Sequence, residues 1–236
     1  MAENESDLLE NQNTLRERVG KSLLNSKVSI FISILVVLFT AQIFKFTFPD
    51  LIFWGIPLAL LAIWLISWFK EIGWSDLGLD RPESWTKTIR LAFLAMLIVQ
   101  IVGFLQFTLL SDSSPDYSSY EEAMTFWRLL GWIAISWTTA GIGEEIIWRG
   151  FFIKQIARLF DEQKMSSWVI GLVLSSIGFG LAHFHQGIGG MLGTAFVGIV
   201  YGIFYLRSGR NLWVSIIAHG LTGTTSFILL YLSQLQ

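Results

Sequence analysis

The sequence predicts an all-α protein: a polytopic transmembrane helix bundle with seven spans, eight being the alternative count. Of its 236 residues 53% are hydrophobic and only 14% charged, too little charge to cover the surface of a soluble domain of this length. Apolar runs of about 20 residues, long enough to cross a bilayer core, recur from residue 28 to the end of the chain. No period-two alternation of the kind that marks strands interrupts them.

Residues 1–27 mix Glu3, Glu5, Asp7 and Glu10 with Arg16, Arg18, Lys21 and Lys27. The stretch is too long and too acidic for the n-region of a signal peptide and reads as a cytoplasmic polar tail. Residues 28–236 are then the transmembrane domain. Spans are expected near 28–48, 51–69, 88–110, 125–142, 143–160, 167–185, 188–206 and 212–234. The fourth and fifth are contiguous. They form either one long tilted helix or two segments broken at "TTAGIG", where Gly141 and Gly143 loosen the helix. Between the second and third spans, "WSDLGLDRP" (74–82) reads as an interfacial turn and short helix with Trp74 at headgroup level. A plain linker is the alternative there.

Lysine and arginine placement orients the chain. The tail, the 70–90 segment (Lys70, Arg81, Lys87, Arg90), the 154–164 segment (Lys154, Arg158, Lys164) and the loop flanked by Arg207 and Arg210 are basic. Residues 111–122 and "FHQGIGG" carry no lysine or arginine. With 125–160 counted as one crossing, every basic segment falls on one side. This predicts a cytoplasmic N-terminus, seven crossings and a C-terminus outside. A net charge of −2 speaks against a nucleic-acid partner. Without cysteine there is no disulfide, catalytic thiolate or thiolate-bound metal.

Against this apolar background, "GIGEEIIWRGFF" (141–152) places Glu144, Glu145 and Arg149 inside a span. A charge at membrane depth costs a few kcal/mol and points to function. Glu145 and Arg149 are four apart, share an α-helical face and are expected to form a structural ion pair. Glu144 lies roughly 100° round the α-helix, without a basic partner at helical spacing. Desolvation and the neighbouring carboxylate should raise its pKa towards that of a general acid or base. The histidines are His183, His185 and His219. A turn near Gln163–Lys164 is 19 or 20 residues from both Glu144 and His183, which brings the two to matching depth in a helical hairpin. His219 lies roughly 13 Å inside the last span. The three groups are expected to meet in a wet cavity open to the cytoplasm, one activating water and another stabilising an oxyanion. Phe179, one turn before His183, is expected to set the imidazole rotamer. His185 should lie on the opposite face, at the interface.

The ordered motifs Glu-Glu-x3-Arg ("EEIIWR", 144–149), Phe-x3-His ("FGLAH", 179–183) and a later helical His ("AHGLT", His219) resemble those of the CPBP (CAAX protease and bacteriocin-processing, or ABI) intramembrane endopeptidases. The resemblance covers about 125–232, with "DLGLDRP" a weaker echo. It implies an all-helical core that cleaves peptide bonds of membrane-associated, including prenylated, proteins or peptides at the bilayer. It implies Glu144 and His183 as the water-activating pair and His219 on the oxyanion side. Both a metalloprotease route, with Zn²⁺ held by Glu144, His183 and His219, and a metal-free, glutamate-driven route are open. Where the family often has Asn four residues after the last His, this chain has Gly223; Thr222 is the neighbouring hydroxyl. The competing reading is a non-catalytic immunity or scaffold protein, or a proton-coupled transporter, on the same fold. Repeated halves with paired broken helices, which mark many transporters, are not seen.

Overall fold

The computed structural model describes residues 18–20, 22–23, 26–47, 54–70, 72–109 and 124–235. The expected acidic loop at 111–122 and most of the polar tail lie outside them. Among the described residues every regular element is helical. The main helices are α1 (Lys27–Thr47), α2 (Gly55–Lys70), α3 (Trp85–Leu109), α4 (Phe126–Ile135), α5 (Lys154–Phe160), α6 (Met165–Leu181), α7 (Gly187–Arg207) and α8 (Trp213–Ser233). Three stretches among the described residues are long and apolar enough to cross a membrane: Trp85–Gln106, Phe184–Arg207 and Trp213–Ser233. Shorter apolar helices cover Lys27–Ile43, Gly55–Lys70 and Met165–Leu181. These apolar helices mark an integral membrane protein.

The Gly141–Gly143 stretch does not break the chain. From the Thr125 cap, whose side chain accepts from the Arg128 N–H, one helical rod runs through α4 to α5. Ser136, Glu145 and Lys154 keep right-handed helical dihedrals at its joints. The rod changes pitch instead. Ser136–Glu144 and Ile146–Ile153 are π-helical, the wider i→i+5 winding that recurs at functional sites.

Contacts with α8 fix the register of this rod and show the two to be antiparallel. Met124 N donates to Gln234 Oε1 (2.6 Å). Trp132 stacks on Phe227 at 5.6 Å, and Trp137 Nε1 donates to Thr224 Oγ1 (3.0 Å). The π segments therefore come to lie beside the first turns of α8. On another side the rod packs on α6, where Ser175 Oγ donates to the Trp148 carbonyl (2.8 Å).

The 74–82 segment is a built element rather than a linker. Ser75–Leu77 form a 3₁₀ turn closed by Gly78 at φ +91°, a conformation that suits glycine. A Cβ there would also strike the Arg210 carbonyl. Leu212 N donates to Gly78 O, and Asn211 Nδ2 to Asp80 O, both at 2.8 Å. Lys154 Nζ donates to the Asp76 carbonyl and pairs with its carboxylate at 3.2 Å. Burial pulls the Asp76 carboxyl up, but the Gly73 N–H and Lys154 outweigh it and hold it below the usual carboxylate range.

Candidate active site

Glu144, Glu145, His183 and His219 come together where the rod meets α6 and α8. Glu145 is fully buried (0% exposed) and Arg149 nearly so (1%). Arg149 Nη1 donates to Glu145 Oε1 at 2.9 Å, so the expected pair forms. Its guanidinium also lies 4.6 Å from the Phe179 ring centre and 5.6 Å from that of Tyr201, contacts that favour a desolvated cation. The pair has a third member. His219 Nδ1 lies 2.8 Å from the same Glu145 Oε1. Because a carboxylate only accepts, Nδ1 carries the proton and Nε2 is left for other chemistry.

His183 is held in a similar way. Its Nδ1 lies 2.8 Å from the Phe179 carbonyl, so Nδ1 donates and Nε2 is turned elsewhere. The Phe179 ring stands edge-on to the imidazole at 4.9 Å. Phe179 thus orients His183 through both its ring and its carbonyl. The expected rotamer lock rests on contacts that sequence spacing had suggested only in part.

Both Nε2 atoms face Glu144. His183 Nε2 is 3.9 Å from Oε1 and His219 Nε2 is 4.0 Å from Oε2. The three side chains are 18% (Glu144), 15% (His183) and 14% (His219) exposed. The matched hairpin depth of Glu144 and His183 is therefore found in the fold. Their positions round the helix do not divide the two glutamates between separate sites, since they approach different nitrogens of His219. Glu145 is not only a structural partner of Arg149.

His185 also departs from expectation. Helix α6 ends at Leu181, His183 has φ −104° and ψ 24°, and Phe184–Gln186 form a 3₁₀ turn. The helical projection that put His185 opposite His183 does not apply, and the two rings lie 5.9 Å apart.

Tyr201 was not singled out by sequence. It is buried on α7 with its ring 5.3 Å from that of His219. Its hydroxyl meets Thr222 Oγ1 at 2.6 Å and the Ala218 carbonyl at 3.4 Å. Thr222 therefore sits on the His219 side of the site, tied to Tyr201. The available signal was a hydroxyl in a mostly apolar helix, one that Thr194 and Tyr205 share.

Tetrahedral Zn²⁺ ligands at about 2.0–2.2 Å from the metal lie roughly 3.3 Å from one another. The separations of 3.9 and 4.0 Å are wider and use different carboxylate oxygens. Among the described residues no group of three His, Cys, Asp or Glu could hold a metal. The donor set does not fit a resident ion, and no step below runs through one.

A cavity of 540 Å³ lies at the other end of the rod, lined by Asp76, Arg81, Lys87, Lys154 and Arg210 among others. None of Glu144, His183 and His219 lines it. It is not the cytoplasmic opening expected for the site.

Comparison with curated proteins and with solved structures found no match. Residues 126–225 match the family model Rce1-like, described as type II CAAX prenyl endopeptidase Rce1-like, which bears out the resemblance to the CPBP endopeptidases over the segment that holds Glu144, Glu145, Arg149, His183 and His219.

Proposed function

We propose that this chain is a seven-crossing intramembrane endopeptidase with a cytoplasmic N-terminus, and that it hydrolyses a peptide bond of a membrane-associated, prenylated protein or peptide. One observation carries the reading: two imidazoles, each tied through Nδ1, turn Nε2 towards one carboxylate, Glu144. The 3.9 Å between Glu144 Oε1 and His183 Nε2 is a distance that one water spans when hydrogen-bonded at about 2.8 Å to each group.

Glu144 takes a proton from that water while His183 Nε2 accepts its second O–H and orients it. The water oxygen bonds to the carbonyl carbon, and the carbonyl electron pair moves to oxygen. His219 in its imidazolium form, with Nδ1–H still on Glu145, donates from Nε2 to this oxyanion. The tetrahedral intermediate collapses, the C–N bond breaks, and Glu144 returns its proton to the leaving nitrogen. The products are a carboxylic acid and an amine. Glu145 and Arg149 hold His219 and do not touch the substrate. The prenyl-substrate class is supported by the name of the matched family.

The test is hydrolysis of a farnesylated peptide ending in a Cys-a-a-X sequence by the full chain in proteoliposomes. Glu144→Gln and His183→Ala are expected to abolish cleavage at unchanged protein level. Cleavage retained by Glu144→Gln would overturn the mechanism.

A further inference from the structure

Four residues beyond His219, position 223 of helix α8 is glycine and offers no polar side chain, and the Thr222 hydroxyl beside it is tied to Tyr201. The structure fills that place from another helix. A Cβ built on Gly223 would overlap the Ser136 hydroxyl. A helical Cα–Cβ bond leans towards the helix N-terminus, so the point that Ser136 occupies lies on the His219 side of Gly223. Ser136 opens the first π segment and is 7% exposed.

Its hydroxyl is not spent on its own helix. Thr138 and Thr139 donate to the Ala134 and Ile135 carbonyls at 2.8 and 2.7 Å, and Thr225 donates to Leu221 O at 2.9 Å. Among the described residues no hydrogen bond engages the Ser136 hydroxyl. Unlike Ser67 Oγ, the Ser136 oxygen is not sealed off, so a group entering the site can reach it. Alanine would pack against Gly223 at least as easily, so packing alone does not account for the oxygen.

We propose that Ser136 is a further catalytic residue of the endopeptidase reaction, its O–H donating to the oxygen of the carbonyl under attack. The proposal rests on the endopeptidase reading above. As the water oxygen bonds to the carbonyl carbon, the electron pair passes to the carbonyl oxygen and the Ser136 hydrogen bond strengthens. No proton is transferred to or from Ser136. Gly223 is then required as well, because a side chain there would displace the hydroxyl from the place it needs.

The test compares four forms of the full chain on the farnesylated peptide: wild type, Glu144→Gln, Ser136→Ala, and the exchange Ser136→Gly with Gly223→Ser. The exchange moves the hydroxyl from one helix to the other. Ser136→Ala is expected to lower kcat roughly 10²-fold, with KM and thermal midpoint close to wild type. The exchange is expected to recover at least tenfold of that loss. Cleavage by wild type but not by Glu144→Gln, with Ser136→Ala within twofold of wild type, would overturn the Ser136 role alone. A fall in Ser136→Ala matched by a lower thermal midpoint, or an exchange variant that folds yet recovers nothing, would also overturn it. No cleavage by wild type would overturn the endopeptidase reading and this role with it.

Discussion

Removing Glu145 should cost more than breaking one ion pair, because two groups depend on its Oε1. Arg149 and Glu145 are 1% and 0% exposed. Deleting one member of such a pair typically costs about 3–5 kcal/mol, since the other charge is left buried. Glu145 Oε2 has no partner among the described residues, so the intact pair is incompletely satisfied and the low end, about 3 kcal/mol, applies. Glu145→Ala also strips His219 Nδ1 of its acceptor, which adds about 1–3 kcal/mol for an unsatisfied buried donor. Arg149→Ala leaves the His219 contact in place. The expected order of destabilisation is therefore Glu145→Ala above Arg149→Ala, with the double variant well below the sum of the two. The coupling should be roughly 1–3 kcal/mol. Replacing the pair by apolar residues of similar size, Glu145→Leu with Arg149→Met, should restore much of the stability and leave hydrolysis impaired, because His219 is no longer held. Denaturant unfolding in mild detergent and peptide hydrolysis on the same preparations read both quantities. Additive single variants, or a Leu/Met pair that is as active as wild type, would refute the reasoning.

Three further outcomes are expected. Because the chain has no native cysteine, Ser114→Cys should react with an impermeant thiol reagent from outside and Ser208→Cys only after permeabilisation; the reverse pattern would overturn the assigned orientation. The Asp76–Lys154 latch should contribute to stability at neutral pH and lose its contribution as pH falls below about 3.9, since the folded pKa of Asp76 is depressed. Asp76→Asn should flatten that acid dependence in an unfolding series and, with the carboxylate half exposed, cost less than about 1 kcal/mol at neutral pH. Hydrolysis should survive chelation to a demonstrably metal-free state, and a loss that Zn²⁺ restores would refute the metal-free route.

Much of the site was legible because it depends on spacing along helices. The equal counts from the 163–164 turn predicted that Glu144 and His183 meet, and the i,i+4 rule predicted the Glu145–Arg149 bond. What escaped the sequence depends on winding and on distant partners. The "TTAGIG" stretch signals a loosened helix, but loosening can end in a break or in a wider turn, and contacts with α8 decide which. The acid that pairs with Arg149 also accepts a hydrogen bond from His219 Nδ1, a partner 74 residues away. Tyr201 is brought to His219 from α7 and Ser136 to Gly223 from the rod, at separations that no local pattern encodes. The 74–82 segment shows the same division: its 3₁₀ turn was readable, its hold on Gly78, Asp80 and Lys154 was not.

The pattern of satisfied and unsatisfied groups accounts for charge at membrane depth. In an apolar bundle a polar atom without a partner is costly, and most polar atoms of the site have one. Arg149 is bonded to Glu145 and faces two rings, and the Nδ1 atoms of His219 and His183 are bonded to Glu145 and to the Phe179 carbonyl. Glu144 is different. Among the described residues it makes no hydrogen bond, and its nearest polar neighbours are the two Nε2 atoms at 3.9 and 4.0 Å. A carboxylate that anchored the fold would be expected to be bonded and closed off, as Glu145 is. Glu144 is instead surrounded by groups fixed from behind and pointed at it, and at 18% it is the more exposed of the two acids. The fixed charges therefore serve to hold the imidazoles, and the unsaturated one is where water and substrate find their partners. On this argument Glu144→Gln removes a poorly solvated carboxylate without orphaning a bonded neighbour. It should leave the unfolding midpoint equal to or above that of wild type while hydrolysis is lost. A Glu144→Gln chain that unfolds several degrees earlier, beside a Glu145→Gln chain of wild-type stability, would show that the two roles are reversed.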